Sequence, residues 1–365
     1  MDYSNNYINA EISIKKGQNK KQRLINSYEN WKREHLTDWD WDNIISENNE
    51  EEIKLCELYI QTKKINFTYL YNFEKYGKYK VKFIFKVPIK SINFLFTDCY
   101  CITSLDFSNF KIKKSLSMTH CFYGCKSLRF LKMNKLNTSE ILDMGYLFGK
   151  CHSLKFLDLS NLDTINVVNM RGLFEECKIL ESIDLKKFET KNVKYMDYMF
   201  SENNKLKELN LSNFNTKNVI NMAGMFSGCT SLLSLDLINF DTKNVTDMSY
   251  MFNFCTNLYN LDLSNFKTNN VTNIINMFSY CHSLISLNID SFSTKNVINM
   301  YGMFNYCTSL IYLNLLNFSF DKVTNMSLMF NECNSLIVLK INNDNKIKNK
   351  NLFLGCNSLI YNIYN

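Results

Sequence analysis

The residues in this chain whose types could do chemistry are its cysteines, histidines and aspartates, and their spacing decides what chemistry is open to them. Ten of the thirteen cysteines stand in or beside one column: Cys99, Cys125, Cys151, Cys177, Cys229, Cys255, Cys281, Cys307, Cys333 and the terminal Cys356. At the one missing rung, 203, the residue is asparagine. An asparagine can take over an inward-facing hydrogen-bonding role from a thiol, but not the role of a disulfide partner or a thiolate ligand. No CxxC pair is present, and neither Cys99-Tyr100-Cys101 nor the interval from Cys121 to Cys125 has a zinc spacing. The column is therefore expected to be structural, with its thiols buried, reduced and packed as small hydrophobes. Reduced thiols favour a reducing compartment, and neither a metal nor a cofactor is expected.

Catalysis has little else to work with. Of the four histidines, His152 and His282 occupy the variable position just after a column cysteine, where other coils carry Lys178, Thr230 or Thr308. Asp158, Asp184, Asp236 and Asp262 form a second column that suggests paired carboxylates or calcium. Asn210, Asn288 and Asn314 replace them at other rungs, which fits solvent-facing strand positions better. No Gly-rich phosphate loop or nucleophile elbow appears, so no catalytic residue is expected.

The elements that position these columns repeat. Ten phenylalanines from Phe96 to Phe330 recur every 26 residues without insertion. A fixed period of this size means one supersecondary unit stacked on copies of itself, because a single copy cannot bury its own apolar face. Within a coil, S-L-x-x-L-D-L alternates with the period of a half-buried strand and places Leu232, Leu235 and Leu237 inward. Stacking predicts a parallel ladder that continues through Leu157/Leu159, Ile183/Leu185, Leu209/Leu211, Leu261/Leu263 and Leu287/Ile289. The polar turn D-T-K-N-V follows. N-M-x-x-M-F then spaces Met248, Met251 and Phe252 by three and four residues, which predicts a short helical turn. The expected fold is a mainly β repeat solenoid of ten 26-residue steps, ~50 Å long at ~4.8 Å per step.

Composition bounds the rest. With 28 Phe and 21 Tyr the main body can bury a core, and with one proline and ten glycines no linker marks a boundary. The net charge of +7 is modest. Lys15, Lys16, Lys20, Lys21 and Arg23 form a basic cluster that reads as a solvated tail, so nucleic acid is not favoured as a partner. No stretch is long and apolar enough to span a membrane and no secretory signal is seen, so a cytoplasmic location is expected from the sequence.

The coils from about residue 94 to 361 resemble the BspA-type leucine-rich-repeat family, in the branch reading S-L-x-x-L-D-L-S-N-F-D-T-x-N-V-T-x-M-x-x-M-F-x-x-C, nearly intact from Ser231 to Cys255. The segment 56–93, with KYKVKFIFKV alternating Tyr79, Val81, Phe83 and Phe85, looks like the β unit that caps such repeats. Residues 1–55, with Trp31, Trp39 and Trp41, are expected to be a polar, partly helical extension. The resemblance implies a surface or interaction protein, often linked to adhesion, with no catalysis and a cell-surface location.

Columns that vary point to a binding site. At the first x of S-L-x-x-L, Lys155, Glu181 and Lys207 give way to Leu233, Tyr259, Ile285, Ile311 and Ile337. Two residues after the column phenylalanine, Glu176, Glu202 and Gly228 give way to Phe254, Tyr280 and Tyr306. Stacked aromatics and aliphatics of this kind either pack half-buried or mark a partner site. Phe254, Tyr280, Tyr306, Tyr259, Ile285 and Ile311 are the expected contacts of a monomeric, non-enzymatic scaffold with a protein partner. The competing expectations are a self-associating structural or adhesive element and, more remotely, a carbohydrate binder.

Overall fold

The computed structural model describes residues 5–35, 48–112, 115–134, 136–342 and 350–364. Trp39 and Trp41 lie outside the described residues. The chain is mostly β, with little helix and with repeated units, and it divides into two compact units, Met1–Phe188 and Glu189–Asn365.

The first unit contains β1 (Tyr7–Ile14), β2 (Lys21–Arg23), β3 (Glu57–Ile60), β4 (Lys63–Ile65), β5 (Leu70–Asn72), β6 (Gly77–Ile84), β7 (Ile102–Asn109) and β8 (Phe130–Lys132), with two short helices, α1 (Tyr28–Glu34) and α2 (Glu50–Lys54). Six strands form one sheet in the order β4-β3-β6-β1-β7-β8, and β2 pairs with β5 apart from it. β1 lies inside this sheet, antiparallel to both β6 and β7, and buries Ile8, Ala10, Ile12 and Ile14. The first 55 residues are thus not a separate extension, because they supply an interior strand to the capping sheet. Ile8, Ala10, Ile12 and Ile14 alternate with Asn9, Glu11 and Ser13, but the segment is flanked by polar residues, so composition hid it. Ser27 caps α1 by accepting the Asn30 N–H at 3.1 Å, and Trp31 packs its buried ring on Phe94 at 4.7 Å between centroids.

Between β7 and β8 the repeat begins: the two strands are parallel, with Ser104 opposite Phe130 and Leu105 opposite Leu131. Beyond them, successive coils within each unit bind one another through turn backbone rather than through a helix. In the second unit the N–H groups of Met248, Tyr250, Phe252 and Phe254 donate to the carbonyls of Asn273, Ile275, Met277 and Ser279, at 3.0, 2.8, 2.9 and 2.9 Å. The intervening N–H groups of Met251, Asn253 and Cys255 donate back to Met248, Tyr250 and Phe252. The alternation requires left-handed backbone at Tyr250 and Phe254, with φ of 58° and 56°, a region that few non-glycine residues enter. The expected helical turn at N-M-x-x-M-F is therefore a chain of tight turns. Its spacing of three and four residues is shared with a helix, but half of its N–H groups leave the coil.

Side chains add further rungs to the stack. Phe252 lies between Phe226 and Phe278, 5.6 Å from each and near-parallel to both. Thr216, Thr242, Thr268 and Thr294 are buried, and each both donates to a carbonyl and accepts an N–H of the next coil, as Thr242 does with Lys267 at 3.2 and 2.8 Å. Asn218, Asn244 and Asn270 reach back to the carbonyls of Lys191, Lys217 and Lys243. The turn D-T-K-N-V is thus as much a source of coil-to-coil bonding as the strand. The strands are less regular than expected: none forms at Leu157/Leu159, Ile183/Leu185, Leu209/Leu211 or Leu235/Leu237. Strands return as β9 (Asn260–Asp262), β10 (Ser286–Asn288), β11 (Tyr312–Leu315), β12 (Val338–Asn342) and β13 (Ile360–Tyr364), in parallel sets β9-β10 and β11-β12-β13. Among the described residues no helix is long and apolar enough to cross a membrane.

Candidate interaction surface

The reactive side chains are held in states that suit packing. In both units the column thiols donate across a coil boundary to the carbonyl of the preceding column phenylalanine: Cys151 to Phe122, Cys255 to Phe226 and Cys281 to Phe252, each at 3.1 Å. Burial pushes the thiols of Cys177, Cys229 and Cys281 up to about 12, so they stay protonated. Asn203 fills its rung differently, donating to Phe200 of its own coil at 2.7 Å. The aspartate column is occupied by local turns. Asp158, Asp184, Asp236 and Asp262 accept the N–H groups of Ser160, Lys186, Ile238 and Ser264, and Asn210 and Asn288 do the same for Ser212 and Asp290. An amide oxygen accepts as well as a carboxylate in such a turn, which explains why the two residue types alternate. His120 is buried, stacks on Phe94 at 4.6 Å, and has its pKa pushed down to about 3 by burial. Among the described residues no group of three or more His, Cys, Asp or Glu is placed to hold a metal.

The basic cluster near the N-terminus is partly engaged. Arg23 grips Glu34 with two 2.7 Å bonds, and Lys20 donates to the Glu74 carbonyl at 2.7 Å. Lys15, Lys16 and Lys21 are exposed.

The variable columns of the second unit form two surface rows. Phe254, Tyr280 and Tyr306 stack face to face, at 4.3 Å and 5° for the first pair and 4.8 Å and 6° for the second. Phe254 is exposed and both tyrosines are half-buried. The His282 ring stands near-perpendicular to both tyrosines, 5.8 Å from Tyr280 and 6.3 Å from Tyr306 between centroids. All three stacked residues have left-handed backbone, with φ of 56°, 61° and 58°. Glu202 and Gly228 hold the same conformation two and one coils earlier. The backbone at this position therefore accepts glycine or a carboxylate and does not itself call for an aromatic ring.

The second row is Leu233, Tyr259, Ile285, Ile311 and Ile337, between 40% and 52% exposed at five successive coils. Its backbone is tied in register where Tyr259, Ile285 and Ile337 donate to the Leu233, Tyr259 and Ile311 carbonyls. Between the rows each coil turns inward through a buried cysteine and leucine, Cys255 and Leu258 in one coil and Cys281 and Leu284 in the next. The six expected contact residues are thus brought into two rows rather than one patch. Leu233 and Ile337 extend the second row at both ends. Sequence reasoning passed over Phe130 and Phe156 of the first unit, 71% and 65% exposed. They occupy the second x of S-L-x-x-L in adjacent coils, so the signal was their own 26-residue spacing.

A model of the family described as "Mycoplasma protein of unknown function, DUF285" matches residues 90–182, 144–257, 177–286 and 230–344. These matches together span more than half of the chain, and the chain belongs to that family. No curated protein matches. Among solved structures, a chain of the Drosophila Toll–Spatzle complex is similar at 16% identity and a TM-score of 0.34, over 70% of this chain and 35% of that one. A chain of the TLR13–ssRNA13 complex is similar at 19% identity and a TM-score of 0.32, over 72% of this chain and 40% of that one. This chain therefore spans well under half the length of either. What those complexes bind is a property of those proteins.

Proposed function

We propose that this protein is a non-enzymatic binding scaffold of the BspA-type leucine-rich-repeat branch, with a solenoid of 26-residue coils, and that coils between about residues 251 and 315 present their variable rows to a protein partner. The observation that carries this reading is the exposed row Leu233, Tyr259, Ile285, Ile311 and Ile337 running beside the stacked row Phe254, Tyr280 and Tyr306. Exposed apolar side chains repeated in rows over successive coils are uncommon on a free soluble chain, and aromatic side chains with few lysines typify interface cores. The columns that could have served catalysis are committed to coil-to-coil bonds and turns, which supports a scaffold over an enzyme. A carbohydrate site fits less well, since the rings cover one another's faces and offer mainly edges.

Replacing Tyr306 with a photo-crosslinking phenylalanine analogue tests this reading. In cells that make the protein, irradiation should give one discrete adduct with a different chain, while the purified protein sediments as a monomer. An adduct of two copies of this chain would replace the reading with self-association. No adduct at Tyr306 or at a second placement, Ile285, would remove it.

A further inference from the structure

Departures from the repeat mark a second site, in the first unit. A residue that every coil needs for stacking recurs each 26 positions, so a large apolar side chain that breaks its column and faces water is not accounted for by the fold. Three such breaks fall together. Phe130 and Phe156 occupy a column whose neighbouring coils carry Ser104 and Ser182, and Ile179 stands where the two preceding coils carry Ser127 and Ser153. All three are exposed, and all three line one cleft of about 780 Å³ that lies across the face of β7, β8 and the coils stacked beyond them.

A charged position breaks its column as well. Lys132 takes the place of the column aspartate, between Asp106 and Asp158. Those two accept the N–H groups of Ser108 and Ser160 at 2.8 and 2.9 Å, a bond that an ammonium group cannot accept. At this coil a turn bond is exchanged for a cation. Arg129 joins Lys132 in the cleft, and among the described residues neither makes an ion pair. Lys155 is committed, to Glu181 at 3.1 Å and to the Phe156 ring, 5.5 Å from its centroid. Asp106 is the one acidic side chain of the lining. The free cations thus stand on the β8 coil, while the apolar wall runs on for two more coils, ~10 Å at ~4.8 Å per step.

We propose that this cleft binds a small amphipathic carboxylate, with its carboxylate against Arg129 and Lys132 and its alkyl chain along Phe130, Phe156 and Ile179. A guanidinium and a carboxylate form charge-assisted, commonly bidentate hydrogen bonds. With three cations to one anion along the lining, the cleft selects an anionic head over a cationic one. The exposed rings select a chain over a small polar anion, because only a chain removes their apolar surface from water. The volume lies within the range of small-molecule sites. This site is separate from the rows of the second unit, and its test does not depend on them.

The probe is decanoate, titrated into the full chain by isothermal calorimetry below its micellar concentration, with decylamine and decan-1-ol as controls of equal chain length. One site is expected, at least about tenfold tighter for decanoate than for either control. Affinity should grow by up to about fourfold per methylene from hexanoate to decanoate. The first-unit variants restore residues that neighbouring coils already carry, so the far-UV circular dichroism melt should be retained. Phe130→Ser with Phe156→Ser should weaken decanoate about tenfold or more. Lys132→Asp should weaken decanoate by a similar factor and leave decan-1-ol unchanged. Ile285→Ser in the second unit should change nothing. Absence of decanoate binding overturns the proposal. So does binding that the first-unit variants leave unchanged, which would be adsorption elsewhere on the chain. Equal binding of decanoate and decan-1-ol also overturns it, since the cations would then have no part. Adsorption to phosphatidylglycerol vesicles that is lost in the double serine variant, without binding of free decanoate, would replace the small ligand with a membrane surface.

Discussion

At the scale of single residues, the cysteine column shows how a group with reactive potential is made inert. From Cys125 to Cys333 each column thiol donates to a carbonyl one coil back, as Cys255 does to Phe226 at 3.1 Å, and burial holds the proton on sulfur. Reactivity needs the thiolate. Iodoacetamide at pH 8 should therefore label Cys356 first, because it is only half-buried and its pKa is lowered through its bond with Cys333. Cys177, Cys229 and Cys281 should label only with global unfolding, as mass spectrometry of a time course would show; labelling of Cys281 at the rate of Cys356 would contradict the packing described. The same shift sets the sign of an alkaline transition. A thiol at about 12 in the fold and 9.0 in the unfolded chain contributes stability fully below pH 9, and that contribution is lost as pH rises toward 12. Asn203 shows that an amide serves at one rung, so Cys255→Asn should fold with a modest loss of melting temperature. Cys255→Asp buries a charge without a counter-ion and should cost several kcal/mol. Equal melts for the two variants would contradict the burial of the column.

At the scale of elements, the capping helices and the coils make different demands. Glu50 at the start of α2 accepts Arg33 and Lys54, and the bond from Arg33 leads in holding its carboxyl down at about 2. A lowered carboxylate stabilises the fold above its ordinary value of 4.5, and the contribution is lost as pH falls from there toward 2. Glu50→Gln should flatten the acid limb of a melt followed by far-UV circular dichroism; an unchanged limb would show that other carboxylates govern it. For the coils, bonding between neighbours predicts that length is negotiable and phase is not. Deleting residues 226–251, one full period, should leave a cooperative melt. Deleting residues 226–238 moves every ladder half a coil out of register and should abolish it. Two melts of the same form would contradict the coil-to-coil ladders.

At the scale of the whole molecule, the period and the buried columns were legible in the sequence because stacked copies repeat their inward residues at fixed spacing. The left-handed positions were not legible, since Tyr250, Glu202 and Phe254 occupy them without the glycine that marks such backbone elsewhere. The interior place of β1 was hidden because pairing Tyr7–Ile14 with β6 and β7 is a long-range event that composition does not report. Of the candidate surface, the sequence showed which columns vary but not that they form two rows. The central claim is that Tyr280 and Tyr306 are kept for a partner and not for stability. Glycine at both positions tests it most directly, because it relieves left-handed backbone worth about 1–2 kcal/mol per residue while giving up stacking worth about 0.5–1.5 kcal/mol per pair. The account predicts that the Tyr280→Gly, Tyr306→Gly variant melts at or slightly above the parent temperature while the crosslink placed at Ile285 to its partner is lost. A variant that melts several degrees lower and still gives that crosslink would show that the aromatic row is packing and that the partner, if any, lies elsewhere.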